Sequence, residues 1–260
     1  MKVGVVGYGV VGKHLAQLFL DGHREVVIYD KFDPEMGSES RQRDINNCDL
    51  VFISVPTPAS EDGSCDISAV REVVAWILPP MCIKSTIPPG TVQALTEEFG
   101  KQIVFSPEYI GETPFHKSLV TRVPDLVAVG GERCLCERFI SAYRDVLGPE
   151  PHYFVTDAIT AELSKYMENC FFATKVAFVA QFYLLASHFG ADFTQMREIW
   201  TADTRVGRSH STVTGKLGFG GKCLPKDLSA IIARTLESGG QIEFLQAVSE
   251  FNTALRREEA

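Results

Sequence analysis

A glycine-rich turn near the N-terminus is the strongest constraint on the fold of this chain. Residues 7–12 read G-x-G-x-x-G and follow the apolar run 2–6. A helical apolar pattern comes next, and residues 26–30 then form a second strand pattern that ends in an acid. Strand, glycine turn, helix, strand and acid together are the full context of a dinucleotide-binding turn, whereas the glycine pattern alone would be weak.

Each residue type in this turn has a physical role in the prediction. Gly7 allows the tight turn, Gly9 lets the backbone approach a pyrophosphate, and Gly12 lets the helix pack closely on the strand. The helix N-terminus supplies an anion site. Asp30 is placed to accept a hydrogen bond from a ribose 2′-hydroxyl, which favours NAD over NADP, although the neighbouring Lys31 would tolerate a 2′-phosphate. The predicted cofactor-binding residues here are Gly7, Tyr8, Gly9, Val10, Val11, Gly12 and Asp30.

Strand and helix patterns alternate up to about residue 155, which predicts an α/β fold with a doubly wound parallel sheet over residues 1–156. Residues 31–48 carry little regular pattern and are expected to form an exposed connection. The other predicted strands are 49–55, 81–84, 103–105, 126–129 and 152–154, and the predicted helices are 67–77, 91–99 and 132–147.

Residues 157–260 carry only helical patterns, and we predict that they form a second domain. Residues 157–189 contain no proline or glycine and predict a helix about 50 Å long. Residues 170–189 are nearly all apolar, but Lys175, Gln181 and His188 argue against a membrane span. We expect this surface to be buried, partly by a second subunit, which predicts a homodimer through the long helix. Further helices are expected at 193–201, 226–236 and 243–256.

Charge and cysteine usage narrow the class of protein. A net charge of −8 and a pI near 5.3 argue against nucleic acid or an anionic membrane as the main partner. Seven cysteines without a C-x-x-C pattern predict reduced thiols in a cytoplasm. The chain enters a strand at once, so no signal peptide is expected, and Cys134 and Cys136 are too isolated to predict a metal site.

The most distinctive segment is residues 218–227, Gly-Phe-Gly-Gly-Lys-Cys-Leu-Pro-Lys-Asp. Cys223 lies between Lys222 and Lys226, and nearby cations favour the nucleophilic thiolate. If Pro225 begins a helix, Asp227 lies one turn after the cysteine. The segment then predicts a cysteine nucleophile at the start of a helix. The alternative interpretation is a glycine turn beside a buried structural cysteine.

Polar residues of the long helix and of three strand ends form a second candidate group. Lys165 and Asn169 stand one turn apart and could hold a hydroxyl or an oxyanion; the alternative is an ordinary solvated face that also includes Glu162 and Glu168. Residues 55–58, 85–91 and 106–112 each follow a predicted strand. Ligands of open α/β sheets bind at that edge, although each segment alone could be a proline-rich loop.

In combination, these motifs resemble those of the UDP-glucose/GDP-mannose dehydrogenase family of NAD-dependent nucleotide-sugar dehydrogenases. The motif Gly-Gly-x-Cys-Leu-Pro-Lys-Asp is the most specific of them. The matching segments occur in the family's order and cover nearly the whole chain, at residues 7–12, 55–58, 85–91, 106–108, 162–169, 203–207 and 218–227.

The resemblance implies a four-electron oxidation of a sugar C6 alcohol to an acid with two NAD. Cys223 would capture the aldehyde as a thiohemiacetal, and a second oxidation would give a thioester. Glu108 would assist its hydrolysis, while Lys165 and Asn169 would hold the reacting oxygen.

The resemblance also implies the remaining contacts. Thr86 and Asp227 would position a water near C6, Glu112 would touch the nicotinamide end, and Lys226 would lie near both substrate and cofactor. Arg205 would reach across a dimer to the partner's site. The further residues implied are Val55, Pro56 and Thr57 for the cofactor and Phe219 and Gly220 for the substrate.

Members of this family usually carry a second Rossmann-like domain after the central helices, so the chain is expected to be a short form without it. Residues 109–112 are Tyr-Ile-Gly-Glu, where the family more often has Phe-Leu-Arg-Glu. Two other functions stay open: a β-hydroxyacid-type dehydrogenase, which performs one hydride transfer without a cysteine, and a non-catalytic NAD-binding protein.

Overall fold

The structure, a computed structural model, describes residues 1–109 and 124–257 and divides the chain into two compact units. The first unit comprises Met1–Pro58 and Cys65–Lys165, and the second comprises Ala59–Ser64 and Tyr166–Ala260. The division after Lys165 lies about two and a half helical turns further along the chain than the predicted boundary at 156/157.

A seven-stranded sheet forms the centre of the first unit in the described part of the chain. The order of its strands is β2-β1-β3-β4-β5-β6-β7, so the chain reverses its direction of winding after β2. The strands are β1 (Lys2–Val6), β2 (Glu25–Tyr29), β3 (Leu50–Ile53), β4 (Met81–Ile83), β5 (Ile103–Phe105), β6 (Leu126–Gly130) and β7 (His152–Thr156).

Helices cover both faces of this sheet, because its strands are apolar on both sides. Along β3, Val51 and Ile53 belong to one buried cluster and Phe52 belongs to the other, where it meets Phe19 and Tyr143. Alternate residues of a strand therefore face two different cores. The helices of this unit are α1 (Val10–Asp21), α2 (Glu39–Asn46), α3 (Ser68–Trp76), α4 (Thr91–Phe99) and α5 (Arg133–Leu147).

Two features of the first unit differ from the sequence prediction. Strand β6 pairs antiparallel to β5 through Phe105 and Gly130, so the sheet is mostly, not wholly, parallel. The expected irregular connection 31–48 contains helix α2, whose N-cap Ser38 accepts a hydrogen bond from the Arg41 amide. Ile45 is the one buried residue of α2, which explains why the helix leaves no apolar periodicity in the sequence.

Helices make up the second unit, together with the loops between them. The long helix α6 (Ala158–Phe189) begins in the first unit and continues here, followed by α7 (Phe193–Ala202), α8 (Leu224–Glu237) and α9 (Glu243–Arg257). The short segment Ala59–Ser64 belongs to this unit as well, and Ser229 Oγ donates a hydrogen bond to the Gly63 carbonyl at 2.9 Å.

The apolar half of α6 is only partly buried. Ala173, Ala177 and Ala180 face the interior, whereas Phe178 and Phe182 stay 47% and 40% exposed. One copy of the chain therefore buries only part of the surface that is expected to be covered, and the exposed part is the one for which the sequence predicts a second subunit. By length and composition α6 could also cross a bilayer; the core helix of a soluble protein meets the same test.

The N-terminus of α4 is capped by a buried carboxylate from α6. Glu162 has no exposed surface, and its two oxygens accept hydrogen bonds from the Gly90 and Val92 amides at 2.6 and 2.9 Å. A helix N-terminus has unpaired amides and a partial positive charge, so an anion stabilises it. Glu162 thus joins α6 to the loop that follows β4, within the first unit.

Replacement of Glu162 by alanine is expected to lower the free energy of unfolding by about 2–4 kcal/mol, because two amides lose a charged acceptor in a buried place. Glu162→Gln should cost less, since its carbonyl oxygen still accepts one bond. The control is Glu97→Gln on the exposed side of α4, expected within about 0.5 kcal/mol of the wild type. Urea unfolding followed by circular dichroism measures all three, and an unchanged midpoint for Glu162→Ala would contradict the cap.

Candidate active site

The glycine turn after β1 is built by close contacts that exclude side chains. Gly7 has φ +90°, and a Cβ added there would lie 2.6 Å from the Ser54 carbonyl oxygen. A Cβ on Gly12 would lie 1.9 Å from the Gly7 oxygen. Ser54 Oγ donates a hydrogen bond to that same oxygen at 2.9 Å. The turn is therefore held between the ends of β1 and β3, at the point where the strand order reverses.

Gly9 differs from its neighbours, because a Cβ added to it would meet nothing within 4 Å. Gly9 is also the N-cap of α1, and no side chain among the described residues bonds to that end of the helix. Open space beside free helix amides fits a pyrophosphate, so this turn fits NAD. The residues that would hold it are the backbone of 7–12 and Asp30.

Asp30 is tied to the turn. Its Oδ2 accepts a hydrogen bond from the Tyr8 amide at 2.7 Å, and its Oδ1 accepts one from Phe32 at 3.0 Å. The carboxylate is thus oriented next to the phosphate-binding turn, where a ribose hydroxyl would be expected. Lys31 forms an ion pair with Glu72, with Nζ–Oε distances of 2.7 and 2.9 Å. The Lys31 ammonium is therefore already paired with a carboxylate.

The predicted segments at the strand ends are joined to one another by hydrogen bonds. Ser85 Oγ donates to the Val55 carbonyl at 2.6 Å, and Thr57 Oγ1 donates to the Thr86 carbonyl at 2.9 Å. Thr57 is buried, and Pro56 lies in the same loop. Strands β3 and β4 are neighbours in the sheet, which brings their carboxyl ends together as the sequence predicts.

Glu108 follows the next strand, β5, and its carboxylate reaches the end of β4. Its Oε2 lies 3.4 Å from Lys84 Nζ. Tyr109 lies beside Lys165, whose Nζ is 5.0 Å from the ring centroid, and the Tyr109 hydroxyl is 3.2 Å from Ser164 Oγ. The tyrosine contact with the predicted lysine was not foreseen, although its place directly after Glu108 was a usable signal. Glu112, predicted to contact the cofactor, lies outside the described residues.

In the second unit Cys223 is the N-cap residue of α8, and Pro225 lies in the first turn, as the sequence predicts. Asp227 is 1% exposed, and its carboxylate accepts a hydrogen bond from Asn169 Nδ2 at 2.5 Å and forms an ion pair with Lys226. Asn169 is buried too. The interpretation of this position as a solvated helix face is therefore excluded, and two predicted residues from different helices are in contact.

The glycine loop before Cys223 is clamped by the C-terminal helix. Asn252 Oδ1 accepts a hydrogen bond from the Phe219 amide at 2.7 Å, and its Nδ2 donates to the Phe219 carbonyl at 3.1 Å. Gly218 has φ +75°, and a Cβ there would lie 2.3 Å from Asn252 Oδ1. Asn252 lies 33 positions from Phe219, so no local pattern in the sequence marks it.

A cavity of about 280 Å³ opens beside this loop. The loop and α6 form its walls, and the imidazole of His210 stacks on Phe172 with ring centroids 4.0 Å apart. Burial lowers the pKa of His210, and the nearby Lys175 ammonium lowers it further. The lining residues are Val176, Ala180, His210, Thr212, Val213, Thr214, Gly218, Phe219, Gly220 and Leu224.

Arg205 lies on an exposed loop of the second unit. Its guanidinium forms a forked ion pair with Asp203, with the shortest distance 2.6 Å, and hydrogen bonding between them raises the pKa of Arg205. Lys175 Nζ donates to the carbonyls of Val206 and Gly207 at 2.9 and 2.8 Å. One of the polar residues that interrupt the apolar half of α6 therefore holds this loop.

A Rossmann-type sheet with a phosphate-binding glycine turn and an open helix N-terminus defines a dinucleotide-binding protein. Two family models match the chain: the NAD binding domain of the UDP-glucose/GDP-mannose dehydrogenase family over residues 35–145 and its central domain over residues 159–254. The chain belongs to the UDP-glucose/GDP-mannose dehydrogenase family.

Individual relatives agree with this assignment. A UDP-glucose 6-dehydrogenase of Pseudomonas aeruginosa is 32% identical over 224 residues, covering 79% of this chain and 49% of that protein. A UDP-glucose dehydrogenase structure from Pyrobaculum islandicum superposes with a TM-score of 0.84 at 27% identity, covering 97% of this chain and 68% of that one. The chain spans about half the length of the Pseudomonas and Rickettsia relatives that it matches.

The glycine turn leads to a paired test of cofactor binding. Gly9→Ala should leave the melting temperature unchanged but weaken NAD binding about 10- to 100-fold, the equivalent of the 1–3 kcal/mol that overpacking costs. Gly12→Ala should lower both the melting temperature and the affinity for NAD, because its methyl group would meet the Gly7 carbonyl. Calorimetric titration with NAD and thermal unfolding separate the two effects. Wild-type NAD affinity in Gly9→Ala would contradict the assigned site.

Proposed function

We propose that this protein oxidises the C6 alcohol of a nucleotide sugar to the corresponding acid with NAD, through a covalent intermediate on Cys223. The family, and relatives named UDP-glucose 6-dehydrogenase, support the substrate class. The observation that carries the proposal is the place of Cys223 at the N-terminus of α8, since a helix N-terminus and nearby lysines favour a thiolate.

The chemistry proceeds in four steps, namely a first oxidation, addition of Cys223, a second oxidation and hydrolysis. NAD, when bound, would accept one hydride from the C6 carbon in each of two oxidations, and the oxygen on C6 would lose its proton to solvent each time. After the first, the Cys223 thiolate adds to the aldehyde carbon and the new alkoxide takes a proton, so the aldehyde cannot escape. After the second, the bound carbon is a thioester. Water then forms the new C–O bond, the C–S bond breaks, and the acid leaves.

Polar groups around these steps have separate roles in the proposal. Lys165 and Asn169 would hold the reacting oxygen, since a cation and an amide stabilise developing negative charge. Glu108 would take the proton of the hydrolytic water. Asp227, held by Asn169 and Lys226, and Thr86 would position that water. Phe219 and Gly220, which line the cavity beside the glycine loop, would contact the substrate.

The nucleophile is tested with UDP-glucose as the probe. Wild-type protein should form two NADH per acid, Cys223→Ala should form no acid, and Cys223→Ser could stall as a slow ester. Glu108→Gln should accumulate a thioester on Cys223 and release acid about 10²- to 10⁴-fold more slowly, the range for loss of a general base. Spectroscopic NADH measurement and intact-protein mass spectrometry report these outcomes.

Cys134→Ala is the matched control, because Cys134 is an exposed cysteine of the first unit, and it should behave as the wild type. Acid formation by Cys223→Ala at the wild-type rate would eliminate the covalent mechanism. One NADH per turnover with a ketone or aldehyde product would favour a β-hydroxyacid-type dehydrogenase. Binding of NAD without turnover of any nucleotide sugar would favour a non-catalytic protein.

We also propose that the exposed apolar surface of the second unit binds a second copy of the chain. Phe178, Phe182 and Trp200 surround an apolar groove of about 260 Å³ between α6 and α7. Exposed aromatic clusters of this kind mark interaction sites. Arg205, 87% exposed in its side chain, would then reach the partner's site.

A cytoplasmic location also belongs to the proposed function, because none of the seven cysteines, all within the described residues, forms a disulfide.

Light scattering at micromolar concentration is expected to give the mass of a dimer. Phe182→Glu should convert it to a monomer, since a buried unpaired charge is strongly unfavourable. Phe32→Glu is the control, because Phe32 is an exposed aromatic residue of the first unit, and it should stay dimeric. A monodisperse wild-type monomer would overturn the proposed assembly.

A further inference from the structure

A buried lysine lies directly under the predicted catalytic carboxylate. Lys84 follows strand β4 and is 6% exposed. Its Nζ lies 3.1 Å from Ser106 Oγ, 3.1 Å from the Pro107 carbonyl and 3.4 Å from Glu108 Oε2. Lysines are almost never buried without a partner, and these three polar contacts all belong to the segment that ends in Glu108; the same Nζ also lies 5.7 Å from the centroid of the Tyr143 ring.

The ammonium of Lys84 stays charged in this place. Burial opposes the charge, but the Glu108 carboxylate favours it, and the net effect raises the pKa of Lys84. Two neighbouring groups stay neutral: burial raises the pKa of the Cys82 thiol to about 12 and raises the pKa of the Tyr143 phenol as well. Its positive charge is therefore matched by Glu108.

We propose that Lys84 is a positioning residue that holds Glu108 for the hydrolysis of the Cys223 thioester. The inference rests on the proposed function. One hydrogen bond holds the Ser106 hydroxyl, another holds the Pro107 carbonyl just before Glu108, and the ion pair holds the Glu108 carboxylate, so one ammonium sets both the position and the orientation of the base. In the release step water gives its oxygen to the thioester carbon and its proton to Glu108, and the thiolate leaves. Lys84 touches none of the reacting atoms.

A purely structural lysine would behave differently. If Lys84 only joined β4 to β5, its loss would lower stability and slow every step alike. If it acts through Glu108, its loss slows release and leaves both oxidations nearly intact, so the thioester accumulates. The two roles are separated by comparing the first turnover with the steady state.

The test uses the full chain with NAD and UDP-glucose as the probe. Lys84→Met should keep the rate of NADH formation in the first turnover within about threefold, but slow the steady state about 100-fold, the loss that a misplacement of about 1 Å causes. Intact mass should show a thioester on the variant. Lys84→Arg, which keeps the charge, should release acid faster than Lys84→Met.

The matched control is Lys101→Met. Lys101 is also a partly buried lysine of the first unit, and its Nζ bonds to the carbonyls of Val74, Ala75 and Ile77 at 2.7–2.9 Å. It therefore has a structural role away from Glu108. Its loss should lower the melting temperature without any thioester. A double variant, Lys84→Met with Glu108→Gln, should release acid no more slowly than Glu108→Gln alone.

Equal slowing of the first turnover and the steady state in Lys84→Met, or wild-type release, would overturn the inference. If Lys84→Met does not fold, Ser106→Ala gives the same readout, because it removes one contact of the ammonium and keeps the charge. Acid release at the wild-type rate in Ser106→Ala would also overturn the inference. A thioester in Glu108→Gln but not in the Lys84 variants would reject this inference alone. The absence of two NADH per acid in the wild type would reject the proposed function itself.

Discussion

The close approach of helix α1 to the ends of β1 and β3 is the constraint on which the cofactor site depends. A methyl group at Gly12 would lie 1.9 Å from the Gly7 backbone oxygen, so the helix sits at this distance only because residue 12 has no side chain. The N-terminus of α1 then lies at Gly9, where an added Cβ would meet nothing within 4 Å. The close approach also brings the turn next to the loop after β3, which the Ser85 and Thr57 hydrogen bonds connect to the loop after β4.

Buried charged side chains hold neighbouring segments in place within each of the two units. In the first unit, Glu162 anchors the start of α4 and Lys84 anchors Glu108. In the second, Asp227 is held by Asn169 and Lys226. A buried charge is costly unless it is paired and hydrogen-bonded, so each of these groups fixes the place of its partners. Residues proposed for chemistry are therefore held by contacts that also stabilise the fold.

Prediction from the sequence worked where a pattern is local. The bounds of α4 and β5 agree to the residue with those predicted, because an apolar face or an apolar run needs only its own neighbours. Helix α2 was missed, since only Ile45 on it is buried. The antiparallel pairing of β6 was missed too, because a run of apolar residues predicts a strand but not its direction. No local sequence pattern marked Asn252 as a residue that holds the glycine loop, since its partner Phe219 lies far away in the sequence.

The sequence by itself determined the glycine turn, the strands of the first unit and its helices other than α2, and the cysteine at the start of α8, because each depends on residues within one or two turns of one another. Only the tertiary structure decided which residues of α6 are inside. Glu162 and Asn169 are buried while the apolar Met167 is 78% exposed, the reverse of what polarity alone predicts. The reason is that these polar groups find their partners in α4 and α8, about 60 to 70 residues away, and helical periodicity holds no information about such partners.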